Sequence, residues 1–79
     1  MKKSEIVVGG IYNNGMGDKR HQARQVIAEG PEYVLYSGQE DTDCIRYRIV
    51  THVRLDQEGN MTRARFAAWA KRRVDSDQD

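Results

Sequence analysis

Gly30-Pro31 stands at the centre of residues 23–36, between two runs rich in β-branched and aromatic residues, Val26-Ile27 before it and Tyr33-Val34-Leu35-Tyr36 after it. Such a pair fits inside neither a helix nor a central strand. The segment therefore reads as a β-hairpin, with one strand over 22–28, a connection over 29–32 and a second strand over 33–37. A hairpin by itself is marginal in water. The rest of the chain has to supply further strands and a cover, and its 79 residues allow one small domain that buries about 60% of its unfolded surface.

The cleanest period-2 pattern lies at residues 44–49, where Ile45, Tyr47 and Ile49 alternate with Arg46 and Arg48. It predicts a strand. Val53 and Leu55 resume the pattern after a slip, as a bulged continuation or a short further strand that ends in a loop over 56–60. Residues 5–12 read as a first strand interrupted by Gly9-Gly10, where a bulge or bend lets it change direction. Residues 13–18, rich in Asn and Gly, read as a turn. From Thr62 the period changes: Thr62 suits an N-cap, Met61 and Phe66 a hydrophobic staple, and Phe66, Trp69, Ala70 and Val74 share one stripe. These signals predict a helix over 63–74 that docks on the sheet through Trp69. A rival reading makes 56–60 a hairpin loop and 61–66 a strand. Residues 75–79 read as a flexible acidic tail. Apolar residues on both faces of 22–37 point to a closed or nearly closed barrel, so the fold class expected is mostly β with one C-terminal helix.

The net charge of +1 conceals a separation. Residues 29–43 carry Glu29, Glu32, Glu40, Asp41 and Asp43 and no base, whereas residues 62–74 carry Arg63, Arg65, Lys71, Arg72 and Arg73 and no acid. A near-neutral total argues against the sequence-independent DNA affinity of a basic architectural protein. No apolar run is long enough for a membrane span, and the few apolar residues after Met1-Lys2-Lys3 are too short a run for a signal peptide, so a cytoplasmic location is expected. The single cysteine, Cys44, has no internal disulfide partner and fits a reducing compartment.

Cys44, His21 and His52 lack the spacing of a metal site, and Asp41-Thr42-Asp43 lacks the glycine and glutamate of a calcium loop. The glycines of 13–18 do not make a phosphate-binding pattern. His52 and Cys44 are candidates for a nucleophile and base pair across strands, but a domain this small has little room for a substrate pocket. No catalytic residue, metal or cofactor is therefore expected. Tyr12, Tyr33, Tyr36 and Tyr47 interleave with Arg24, Arg46 and Arg48, a combination that stacks on unpaired bases or grips a peptide, although at least two of the four tyrosines are needed for the core. Arg63 and Arg65 add a basic helix face. The candidate binding residues are thus Tyr33, Tyr36, Arg24, Arg46, Arg48, Arg63 and Arg65.

Val8-Gly9-Gly10-Ile11-Tyr12, Arg24-Gln25-Val26, Tyr33-Val34-Leu35-Tyr36 and Phe66-Ala67-Ala68-Trp69-Ala70 together resemble short proteins of phages, prophages and other mobile elements. The resemblance implies a small SH3-like β-barrel of four to five antiparallel strands with an appended helix, and it brings no catalytic residues. The chain lacks the basic surplus of the ribosomal and transcription-factor members of the small-barrel group. The function expected is a non-enzymatic interaction module that binds a protein partner or itself. Single-stranded nucleic acid binding by the Arg/Tyr strand face is the alternative.

Overall fold

Alternation at Cys44–Ile49 makes this strand the one around which the sheet forms. The computed structural model describes residues 1–75 and contains five strands: β1, Ile11–Asn13; β2, Ala23–Glu29; β3, Cys44–Ile49; β4, Glu58–Thr62; and β5, Arg72–Arg73. One helix, α1, spans Arg63–Trp69, and 3-10 turns form at Lys3–Glu5 and Pro31–Tyr33. The strands lie in the order β4-β3-β2-β1-β5, every neighbouring pair antiparallel. The result is a mostly antiparallel five-stranded sheet with one helix. Among the described residues no helix is long and apolar enough to cross a membrane.

Register decides which side chains meet. Tyr12 lies opposite both Arg24 and Arg73, Val26 opposite Tyr47, Ile45 opposite Met61, and Tyr47 opposite Gly59. These residues share one face, and α1 lies across it. The core consists of Ile6, Tyr12, Val26, Ile45, Phe66, Ala67 and Ala70, with Tyr47, Met61 and Trp69 packed at its margin. Phe66 meets Tyr12 edge-on, ring centroids 5.5 Å apart and planes at 84°. Tyr12 also ties the N-terminal segment to the sheet, because its hydroxyl donates to the Glu5 carbonyl at 2.7 Å and accepts from the Val7 amide at 2.9 Å. Two glycines admit the tyrosines: a Cβ at Gly10 would stand 2.5 Å from the Tyr12 oxygen, and one at Gly59 2.7 Å from that of Tyr47. At Gly59, which lies opposite Tyr47 across β3 and β4, the aromatic fills a strand position that has no side chain.

The structure corrects four expectations. Residues 33–37 are not a strand: after β2 the chain passes through Gly30 at φ 146°, a backbone region open only to glycine, enters the 3-10 turn, and crosses residues 34–43 as a loop. β2 already has β1 on one side and β3 on the other, so a strand at 33–37 would find no partner there. Within β2 the pairs Val26 with Tyr47 and Ala28 with Arg46 leave Ile27 over, and this bulge accounts for the broken alternation. The strand expected over 5–12 is reduced to Ile11–Asn13, because Gly10 donates back to the Val7 carbonyl (3.1 Å) in a turn with Gly9 at φ 93°.

The helix stops at Trp69, short of 74. Its start is as expected, with the Thr62 hydroxyl accepting from the Arg65 amide at 3.2 Å. Its end is set by the sheet: Lys71 donates to Asn13 and Val74 to Ile11, both at 2.8 Å, drawing Arg72 and Arg73 into β5 beside β1. Strand pairing overrides helix propensity here. Finally, Val53 and Leu55 belong to the tip of the β3–β4 hairpin, closed by Ile49 donating to Gln57 and Asp56 to Ile49, each at 2.8 Å. The loop expected over 56–60 thus supplies most of β4, and 63–66 belong to the helix and not to the rival strand. The tail expected over 75–79 lies outside the described residues from position 76 on, while Asp75 itself accepts from the Ile11 amide (3.0 Å) and from Arg73 (2.8 Å).

Candidate functional site

The arginines and tyrosines that interleave in the sequence part company in the fold. Arg46 and Arg48 project from the sheet face turned away from the core, where Gln25, Glu58 and Asn60 surround them. Arg46 donates to Glu58 at 2.9 Å and to Asn60 at 2.7 Å, and Arg48 donates to Gln25 at 3.2 Å. The strand tyrosines, Tyr12 and Tyr47, belong to the opposite face. Arg24 joins them there: its guanidinium lies 4.5 Å from the Tyr47 ring centroid and 4.2 Å from that of Trp69, and its Nε donates to Gln22 at 2.7 Å. Burial lowers its pKa, and no carboxylate pairs with it among the described residues. The two rings take the place of a counter-ion, so Arg24 fastens α1 to the sheet.

Arg63 is also spent on structure. From the first position of α1 it binds Asp43 at 2.9 Å, Glu29, and the Ile6 carbonyl, joining the ends of β2 and β3 to the N-terminal segment. Burial pulls its pKa down, but hydrogen bonds to Asp43 and Glu29 outweigh that effect and leave it raised.

Two of the predicted residues do come together. Tyr36 and Arg65 line a cavity of about 520 Å3 between the 34–43 loop and the start of α1, with Leu35, Glu40, Asp41 and Thr62 in its wall. Tyr33, in the preceding 3-10 turn, is half-buried and stands outside this lining. Leu35 and Tyr36 are 60% and 65% exposed, an unusual disposition for large apolar side chains that are neighbours. The loop carrying them is firmly tied: Leu35 donates to the Gln39 side chain at 2.9 Å, and Gln39 in turn donates to the Asp41 carbonyl at 2.7 Å and to the Cys44 sulfur at 3.3 Å. Gln39 is the residue that sequence reasoning passed over, since a lone glutamine in an acidic loop carries no pattern. Leu35 was passed over because residues 33–37 were read for their tyrosines.

Cys44 is buried at one end of β3 and His52 lies past the other end, so about five residues of strand, roughly 17 Å, separate them and no proton passes directly between the two. Among the described residues no three His, Cys, Asp or Glu side chains cluster as metal ligands would. No family model, no curated protein and no solved structure matches the chain.

Proposed function

We propose that this chain is a non-enzymatic interaction module that binds a protein partner at the cavity between the 34–43 loop and α1. One observation carries the reading: Leu35 and Tyr36 stand 60% and 65% exposed at that cavity, on a loop tied down by the hydrogen bonds of Leu35 and Gln39. A fixed apolar pair beside a concave surface binds at little entropic cost, because the loop is ordered before the partner arrives. The proposal includes an SH3-like curl of the sheet, left open between its two edge strands β4 and β5, and kinship with the small proteins of mobile elements. It also places the module in the cytoplasm, in keeping with Cys44 as a free, buried thiol. Single-stranded nucleic acid binding is the lesser reading. Arg46 and Arg48 do share the open face, but Arg46 is held by Glu58 and Asn60, Arg48 donates to Gln25 and keeps its Nε buried, and no strand tyrosine stands beside them.

Selection from a random displayed-peptide library tests the proposal. Peptides with an apolar anchor are expected to bind the wild-type chain and to lose at least about tenfold in affinity against a Leu35→Ala/Tyr36→Ala double variant, a loss of about 1.4 kcal/mol or more. Both side chains are exposed, so the unfolding midpoint should hardly move. A library that yields no binder, or binders indifferent to the double variant, overturns the proposal.

A further inference from the structure

The free edge of β4 runs into the same cavity, and its backbone is unpaired. Arg63 donates to the Asp43 carbonyl at 2.7 Å, and Ile49 donates to the Gln57 carbonyl at 2.8 Å. These two bonds fix the parity of the ladder: residues 57, 59, 61 and 63 turn their polar groups toward β3. The amides of Glu58, Asn60 and Thr62, and the carbonyls of Glu58 and Asn60, therefore point away from the sheet. Among the described residues β4 pairs with β3 alone and ends the sheet.

The two edges are not guarded alike. β5 is two residues long and both are arginines, a short and charged edge of the kind that resists pairing. β4 has five residues, with no proline, no lysine and no bulge, and from Gly59 to Thr62 it carries no charge. Its last residue, Thr62, is also part of the cavity wall with Arg65. A strand laid along this edge thus passes directly to Leu35 and Tyr36. The cavity wall holds Glu40 and Asp41 against the single cation Arg65, so a partner with a base next to its apolar anchor is complementary in charge.

We infer that the partner is an extended peptide segment that adds to β4 as a sixth strand and seats an apolar residue, flanked by a lysine or arginine, in the cavity. This rests on the interaction reading above and specifies it. Main-chain hydrogen bonds to Glu58, Asn60 and Thr62 supply the affinity common to any extended segment, and the cavity supplies the selection.

The test uses the full chain and short peptide pools with a central Leu-Lys pair, Thr or Val elsewhere, and capped ends. One matched pool has Asp in place of the Lys, and another is N-methylated at alternate backbone nitrogens. Binding of the first pool is expected to weaken at least about tenfold in each of the other two. Hydrogen exchange at the Glu58, Asn60 and Thr62 amides should slow when the first pool is bound. Asn60→Pro, which removes an outward amide from an edge strand, should weaken binding to the same extent. Binding indifferent to N-methylation, with no slowing at those amides, overturns the strand-addition inference while leaving the Leu35/Tyr36 surface reading intact if the library selection succeeded. Concentration-dependent slowing at the same amides without peptide also overturns it, since the occupant would then be a second copy. Failure of every designed pool overturns it as well, and the library selection then judges the broader reading separately.

Discussion

Replacing Tyr12 by Phe removes one oxygen and leaves the rest of a fully buried ring in place. That oxygen joins two bonds, a 2.7 Å donation to the Glu5 carbonyl and a 2.9 Å acceptance from the Val7 amide, and both hold the N-terminal segment against the sheet. At about 1 kcal/mol net for each hydrogen bond, Tyr12→Phe costs about 2 kcal/mol, more if the orphaned groups stay dry. A domain of this length has roughly 4–12 kcal/mol in total. The unfolding midpoint should therefore fall by about 8–16 °C. Trp69, the single tryptophan, reports unfolding by fluorescence, and a urea titration with an unchanged slope confirms that the unfolded state is the same. Gly10→Ala supplies the companion measurement, because the added Cβ would stand 2.5 Å from the Tyr12 oxygen and 2.8 Å from two ring carbons. It should cost about 1–3 kcal/mol alone, and part of that cost should disappear in the Tyr12→Phe background, where the nearest atom is gone. A loss under about 0.5 kcal/mol for Tyr12→Phe, or strict additivity with Gly10→Ala, would refute the idea that this hydroxyl clasps the segment.

Arg24→Lys keeps the charge but gives up a planar cation between two rings, so it should cost about 1–2 kcal/mol and shift Trp69 emission to the red as the indole loses cover, both read in one denaturant titration. Asp75 contributes to acid sensitivity. The Arg73 guanidinium holds its carboxyl at about 2 against an ordinary 3.8, so folded Asp75 stays ionised where the unfolded chain has taken up a proton. The resulting stability is complete above pH 3.8 and is lost as pH falls through about 2. Asp75→Asn should lower the midpoint at neutral pH and flatten the pH profile across that window, and an unchanged profile would show that the β1–β5 corner does not depend on this pair.

How far the pattern of residues reveals the fold depends on what sets each element. The strand at 44–49 was legible because one face is buried and the other wet, so Ile45 and Tyr47 had to alternate with arginines. Thr62 was legible because capping is a local matter settled within three residues. Tyr12 and Tyr47 were legible as a count, since the core is otherwise short of large side chains. Residues 33–37 misled because propensity describes a residue's preference and not the vacancy beside it, and both sides of β2 were already taken. Arg72 and Arg73 misled in the same way: nothing near them in sequence announces that β1, some 60 positions away, needs a neighbour. For the candidate site, Tyr36 and Arg65 were found by residue type, whereas Arg24, Arg46, Arg48 and Arg63 were named for their charge and turn out to have partners within the fold. Only the pairing of the chain with itself could distinguish the two groups.

Thr62 closes β4, opens α1 and forms part of the cavity wall, so these three cannot respond independently. A ligand that immobilises Thr62 must make the first turn of α1 harder to open, and by reciprocity a chain with that turn loosened must hold the same ligand less tightly by the same factor. A ligand held at this rim would thereby draw on the stability of α1, and calorimetry of one would become a measure of the other.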